Sequence, residues 1–393
     1  MVAGYRLPRV SVPTSKRRGG ADWGSRRTLR CARRRAHQSG RDAAIAAWVS
    51  CCLVLGSLAV APPTGAFAAE ELVVPAKLRL LVVAPHPDDE SLGAGGLIQR
   101  ALAGGGRVHV LFLTSGDGYP EAVALATGHR QPTAVDYRGF GELRRAEALV
   151  ALEHYHILPL SVTFLGFPDG GLAEIWRRGP HVPAYESPYT REDRPPYPEA
   201  FDSSARYVSR ELIREIAHLV ALADPDWIAL PTPLDTHPDH CASFTFVLAA
   251  LRSLSAEPGG ESKVPDRLLT YLVHAAPWPP PPSVPGPLPE PPAIFAPARW
   301  YSLALEPDEV AAKLAALESH HTQAAIMDRL FRALARPNEL FGVIERAQLT
   351  PLKLGDPPCG PELPSRAALP ASERSPSPAG PSSTTPASPP DWR

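Results

Sequence analysis

The chain has 393 residues, 44% of them apolar, which is enough to bury one large core or two modest ones. Its formal charge of −1 hides a split: residues 1–42 carry twelve Lys and Arg against two acids, leaving −11 on the remainder. An acidic body argues against nucleic acid as a partner, because phosphate binding needs a basic surface.

Taken from the N-terminus, residues 1–68 read as an Arg-rich region followed by an export signal. Residues 43–60 are uncharged, and Ala66-Phe67-Ala68 is a small-x-small cleavage site. The alternative is an uncleaved membrane anchor, since the run approaches the ~20 residues that span a bilayer. Either reading places the protein outside the cytosol or at a membrane. Of the five cysteines, Cys31, Cys51 and Cys52 lie in this extension. Cys241 and Cys359 remain, with no zinc-type CxxC pair and no inferable disulfide framework. A metal site in the body would therefore be built from histidine and carboxylate.

Beyond residue 77 the chain alternates strands and helices. Strands are expected at 78–84, 107–114, 161–165, 227–231 and 268–273, and helices at 92–103, 141–153, 205–223, 241–254 and 307–320. Such alternation implies a Rossmann-like three-layer α/β sandwich with a mostly parallel sheet, whose active site lies at the carboxyl ends of the strands. Gly93-Ala94-Gly95-Gly96 lacks G-x-G-x-x-G spacing and reads as close helix packing rather than a nucleotide loop. Residues 276–297 are Pro-rich and read as an extended surface loop. Residues 351–393, rich in Pro and Ser, show no apolar periodicity and read as a disordered tail.

Two charged clusters follow strands. The first is His86-Pro87-Asp88-Asp89-Glu90 and the second is Asp235-Thr236-His237-Pro238-Asp239-His240. Alone, the first is an acidic helix start, where carboxylates favour the positive dipole end, and the second is a solvated loop. Together they crowd imidazoles and carboxylates at one sheet edge. Two imidazoles, one carboxylate and an open position are the ligand count of a catalytic zinc.

These paired motifs resemble the PIG-L/LmbE family of N-acetylglucosaminyl deacetylases. The likeness extends to the run 165–172, to Gly141-Glu142-Leu143-Arg144-Arg145-Ala146-Glu147, and to residues 313–320 with Gln323, which implies a deacetylase-like domain over residues 77–345. The resemblance implies one Zn2+ held by His86, Asp89 and His240, lowering the pKa of a water from ~15.7 toward ~7. It implies that Asp88 is the general base, and that His237 is a protonated imidazole stabilising the oxyanion or protonating the amine, with Asp239 raising its basicity. Asp169 and Arg138 match positions that approach substrate, although Asp-Gly-Gly is also an ordinary turn and the Arg138 spacing is one residue long. Glu90 reads as hydrogen-bonding support, Cys241 as a small buried residue, and His320 and His321 are unassigned. The segment 167–207 is a candidate substrate rim.

The expected function is zinc-dependent hydrolysis of an N-acetyl group on an N-acetylglucosamine-containing glycoconjugate, releasing acetate. A carbohydrate-binding protein that keeps the metal pocket without turnover is the non-enzymatic alternative. Magnesium-dependent phosphoryl transfer fits poorly, because such sites are oxygen-rich and do not call for three histidines.

Overall fold

Strand β2 (Arg79–Ala84) sends alternate side chains to opposite faces of the sheet, as the two-residue repeat of an extended chain requires. Leu80, Val82 and Ala84 enter one core and Leu81 and Val83 the other, so the strand is apolar throughout. The computed structural model describes residues 69–180, 183–295 and 299–349. The expected export or anchor segment (1–68) and the Pro/Ser-rich tail (351–393) lie outside the described residues.

The other strands are β1 (Glu70–Glu71), β3 (Arg107–Thr114), β4 (Val162–Phe167), β5 (Trp227–Pro231), β6 (Arg267–Tyr271), β7 (Trp300–Ala304) and β8 (Asn338–Glu345). They form one sheet in the order β1-β7-β8-β6-β5-β2-β3-β4. Strands β6, β5, β2, β3 and β4 are mutually parallel, while β8 runs antiparallel to both β6 and β7. The mostly parallel three-layer arrangement expected from the sequence is the one found.

Helices α1 (Asp89–Ala103), α3 (Ala134–Glu153), α7 (Pro307–Ser319) and α8 (His321–Leu334) contribute to one core. Helices α4 (Leu172–Arg178), α5 (Ser209–Ala223) and α6 (Pro238–Ser255) contribute to the other. A short α2 (Pro120–Thr127) follows β3. Among the described residues, no helix is long and apolar enough to cross a membrane.

Three details matter for the site. Helix α3 starts seven residues before the expected 141, because Thr133 and Asp136 form a reciprocal capping box. The glycines of α1 permit close packing: a Cβ on Gly93 would lie 2.2 Å from the Tyr271 ring, and one on Gly96 2.3 Å from Leu305. The Pro-rich stretch is more than a surface loop, because Trp278 and Leu288 are buried in the core. Arg336 gathers the carbonyls of Pro280, Pro281, Val284 and Gly286, in a stretch where proline supplies few backbone N–H donors.

Candidate active site

The carboxyl ends of five parallel strands converge on one cavity of about 390 Å³. Strand β2 delivers His86, Asp88 and Asp89, the turn after β3 brings Gly118 and Tyr119, and β4 leads to Asp169. Strand β5 leads to His237, β6 to His274, and all these residues line the cavity together with Arg144. The two motifs therefore meet at the edge where the topology sends them.

At the centre, Asp89 Oδ2 lies 3.1 Å from His86 Nδ1 and 3.2 Å from His240 Nε2. His86, Asp89 and His240 are all buried, and His240 Nε2 forms no hydrogen bond among the described residues despite the short approach. Ligand atoms bound tetrahedrally at ~2.0–2.1 Å stand about 3.3–3.4 Å apart, so this spacing and the undirected His240 nitrogen fit a shared cation. The charge around His240 points the same way. Burial disfavours its protonation, yet the carboxylates of Asp89 and Asp235 outweigh that and push its pKa up to about 10. Among the described residues, the groups able to hold a metal are His86 with His237 and His240, Asp89 with His240 and His274, and His86 with Asp169 and Asp239, so the expected set of His86, Asp89 and His240 is divided between the first two.

A second layer of carboxylates orients these imidazoles. Asp235 Oδ2 stands 3.2 Å from His240 Nδ1 and accepts the backbone N–H groups of Val273 and His274, while its Oδ1 accepts that of His237. Asp169 Oδ1 lies 3.1 Å from His86 Nε2, and its Oδ2 accepts the Gly118 N–H. Metal-binding histidines commonly carry such carboxylate partners, which fix ring orientation.

Asp88 lines the cavity in an unusual backbone conformation, φ 131°, a region that side chains other than glycine seldom adopt. Its amide donates to Glu90 Oε2 (3.0 Å), and its carbonyl accepts the N–H groups of Ser91 and Leu92 as α1 begins. Arg144 Nη2 donates to Asp88 Oδ2 (3.0 Å) and to the Pro87 carbonyl (2.6 Å), and Nη1 to the Gly116 carbonyl (3.0 Å). Burial raises the Asp88 carboxyl to about 7, against the opposing pull of Arg144.

His237 differs from expectation. Its Nδ1 accepts the Asp239 backbone N–H (3.2 Å), which leaves Nε2 to carry a proton. Burial, with the nearby His86 and His240, drives its pKa down to about 4, and the raising influence of Asp239 does not overcome them. The Asp239 carboxylate instead accepts the N–H groups of Gly170 (2.7 Å) and Leu172 (3.0 Å), pinning the turn that carries Asp169.

The two residues expected to approach substrate are placed differently. Arg138 is not brought to the cavity wall; its Nη1 donates to the Thr190 carbonyl (2.9 Å) and Glu192 Oε1 (3.2 Å). Asp169 lines the cavity as expected and in addition holds His86 and the Gly118 amide. Of segment 167–207, the cavity wall uses Asp169, while Tyr197 and Tyr207 are buried and bond Asp117 and the Gly166 carbonyl. Glu90 supports the Asp88 amide as expected and stands 3.4 Å from His320 Nε2. Cys241 is buried.

Sequence reading missed His274, Arg144 as a partner of Asp88, and Gln323, Met327 and Leu330 on the cavity wall. Of these, His274 carried a usable signal, since it directly follows an apolar strand at the functional edge.

Residues 81–251 match the family model described as PIG-L, GlcNAc-PI de-N-acetylase. The chain is similar to a 1D-myo-inositol 2-acetamido-2-deoxy-alpha-D-glucopyranoside deacetylase of Rhodococcus opacus, 31% identical over 193 residues, covering 48% of this chain and 58% of that one. A protein of the same description from Rhodococcus jostii is 31% identical over 194 residues, covering 48% and 56%. The chain thus spans a little over half the length of these curated relatives. Among solved structures, the N,N'-diacetylchitobiose deacetylase of Pyrococcus horikoshii is 16% identical, with 68% of this chain and 83% of that chain covered at a TM-score of 0.43.

Proposed function

We propose, from the match of residues 81–251 to the PIG-L family model, that this protein is a zinc-dependent hydrolase that removes the acetyl group from an N-acetylated amino sugar in a glycoconjugate. The carrying observation is the approach of His86 Nδ1 and His240 Nε2 to one oxygen of Asp89, with Asp88 facing the same cavity. Two imidazoles and a carboxylate suit zinc, and the ligand assignment proposed is His86, Asp89 and His240. Bound there, zinc would acidify a water and polarise the amide carbonyl.

The chain's own groups supply the proton chemistry. Asp88, steadied by Arg144 and Glu90, is placed to accept the proton of the attacking water. His237, whose Nδ1 accepts the Asp239 amide and so leaves Nε2 to carry a proton, can donate a hydrogen bond to the oxyanion as the carbonyl carbon becomes tetrahedral. Asp239 acts on this site by holding the turn of Asp169, which in turn orients His86. Deacetylases acting on N-acetylglucosaminyl groups among the relatives support the substrate class.

The test is acetate release from a panel of N-acetylated amino sugars by the zinc-loaded protein, repeated after chelation. Release that is lost on chelation and restored by zinc supports the proposal. Sugar binding without release would favour the carbohydrate-binding alternative. We further propose that residues 77–345 are the catalytic domain, and that residues 1–68 export the protein or anchor it at a membrane, supported by the uncharged run 43–60. Recovery of the protein solely in a cytosolic fraction would contradict that placement.

A further inference from the structure

Helix α8 turns one face toward the cavity. Gln323, Met327 and Leu330, spaced four and then three residues apart, all line it. Gln323 is 1% exposed, and its buried Nε2 has no hydrogen-bond partner among the described residues. A buried donor left unsatisfied is costly, so a side chain kept this way at a cavity wall calls for an acceptor that arrives with a ligand.

The face continues beyond the cavity. Met327 and Leu330 also line an adjoining groove of about 360 Å³, whose other walls include Pro277, Pro279, Pro281 and Ile326. Proline offers no N–H, and the Pro280 and Pro281 carbonyls are already taken by Arg336. The proline wall therefore presents mainly ring carbons, and Arg329 supplies a charge at the groove. Met327 and Leu330 lie outside the matched residues 81–251 and outside the run 313–320 with Gln323 that carries the likeness.

We propose that α8 is a specificity-determining face, on which Gln323 donates to an oxygen of the substrate and Met327 and Leu330 lead a hydrocarbon arm into the proline-walled groove. At 1.5 Å per residue, the arm begins about 6 Å from the acceptor oxygen and extends past about 10 Å. The inference rests on the deacylase reading for the sugar end, whereas the arm is read from the groove alone. It has two chemical sources, a long N-acyl chain or an alkyl group at the anomeric oxygen.

Two substrate series separate them: methyl, butyl and hexyl glycosides of N-acetylglucosamine, and methyl glucosaminide acylated with acetyl, butanoyl and hexanoyl groups. One series is expected to gain at least tenfold in kcat/KM from its first to its last member, since a buried methylene is worth up to about fourfold. Leu330→Asn and Met327→Asn should collapse that ratio toward one, a comparison internal to each variant and insensitive to its folded fraction. Gln323→Leu should raise KM about tenfold across the series while leaving the ratio intact. Calorimetric binding of hexyl against methyl glucosaminide, and of the matching N-hexanoyl against N-acetyl sugar, to chelator-treated protein reads the groove without turnover. Absent turnover with a retained chain-length preference in binding would sink the deacylase reading and keep the groove. Flat series in turnover and binding, or a ratio unmoved in Leu330→Asn, would overturn the groove.

Discussion

Replacing Arg144 by Met removes the one guanidinium that joins Asp88 to the turn after β3. Arg144 is 3% exposed and bonds the Asp88 carboxylate and the carbonyls of Pro87 and Gly116. Breaking a buried ion pair from one side costs about 3–5 kcal/mol, because the remaining charge is left uncompensated. Each carbonyl stranded without a donor adds about 1–3 kcal/mol, although these costs overlap and water entering the cavity relieves part of them. The expected net loss is about 3–5 kcal/mol, read as a lower urea midpoint at nearly constant slope. Arg144 touches no proposed metal ligand, so bound zinc per folded chain should stay near wild type while turnover falls at least about 100-fold. Arg144→Lys should recover part of the stability and less of the turnover, since an ammonium cannot span three acceptors in fixed geometry. A stability loss below about 1 kcal/mol together with turnover within twofold would refute the claim that Arg144 sets Asp88.

Asp235→Ala removes the carboxylate beside His240 Nδ1 and should weaken zinc binding about 10- to 100-fold, measured by competition with a chelating dye; unchanged affinity would remove Asp235 from the site. Glu215 bears on pH-dependent stability. It is fully buried without a hydrogen-bond partner for its carboxyl oxygens among the described residues, and burial with the nearby Asp202 raises it to about 8 from 4.5. The folded state then holds this proton after the unfolded chain has lost it, so stability should fall as pH rises from about 4.5 through about 8. Each pKa unit is worth ~1.36 kcal/mol, and Glu215→Gln should flatten that decline by a few kcal/mol in denaturation series at pH 5 and 8.5. Parallel pH profiles for the two proteins would count against it.

The elements legible from sequence were those with a complete apolar signature. Strand β5 was placed at 227–231, because all five of its residues are buried. Strands β7 and β8 were not foreseen. They flank the Pro-rich stretch and α8, and their antiparallel pairing is set by long-range contacts that no local period reports. Helix α8 was missed because only His320 separates it from α7, with no Gly or Pro to mark the break. The same division holds at the site. His86, Asp88, Asp89, His237 and His240 announced themselves as two dense motifs, whereas Arg144, His274 and Gln323 each arrive singly from separate elements.

The central claim divides the first motif between holding a cation and moving a proton, and Asp88→Asn tests that division directly. Zinc content and acetate release should be measured on the same purified sample, with His240→Ala alongside. The account predicts about one zinc per chain with turnover reduced at least about 100-fold in Asp88→Asn, and loss of zinc itself in His240→Ala. Near wild-type turnover in Asp88→Asn, or stoichiometric zinc retained in His240→Ala, would contradict it.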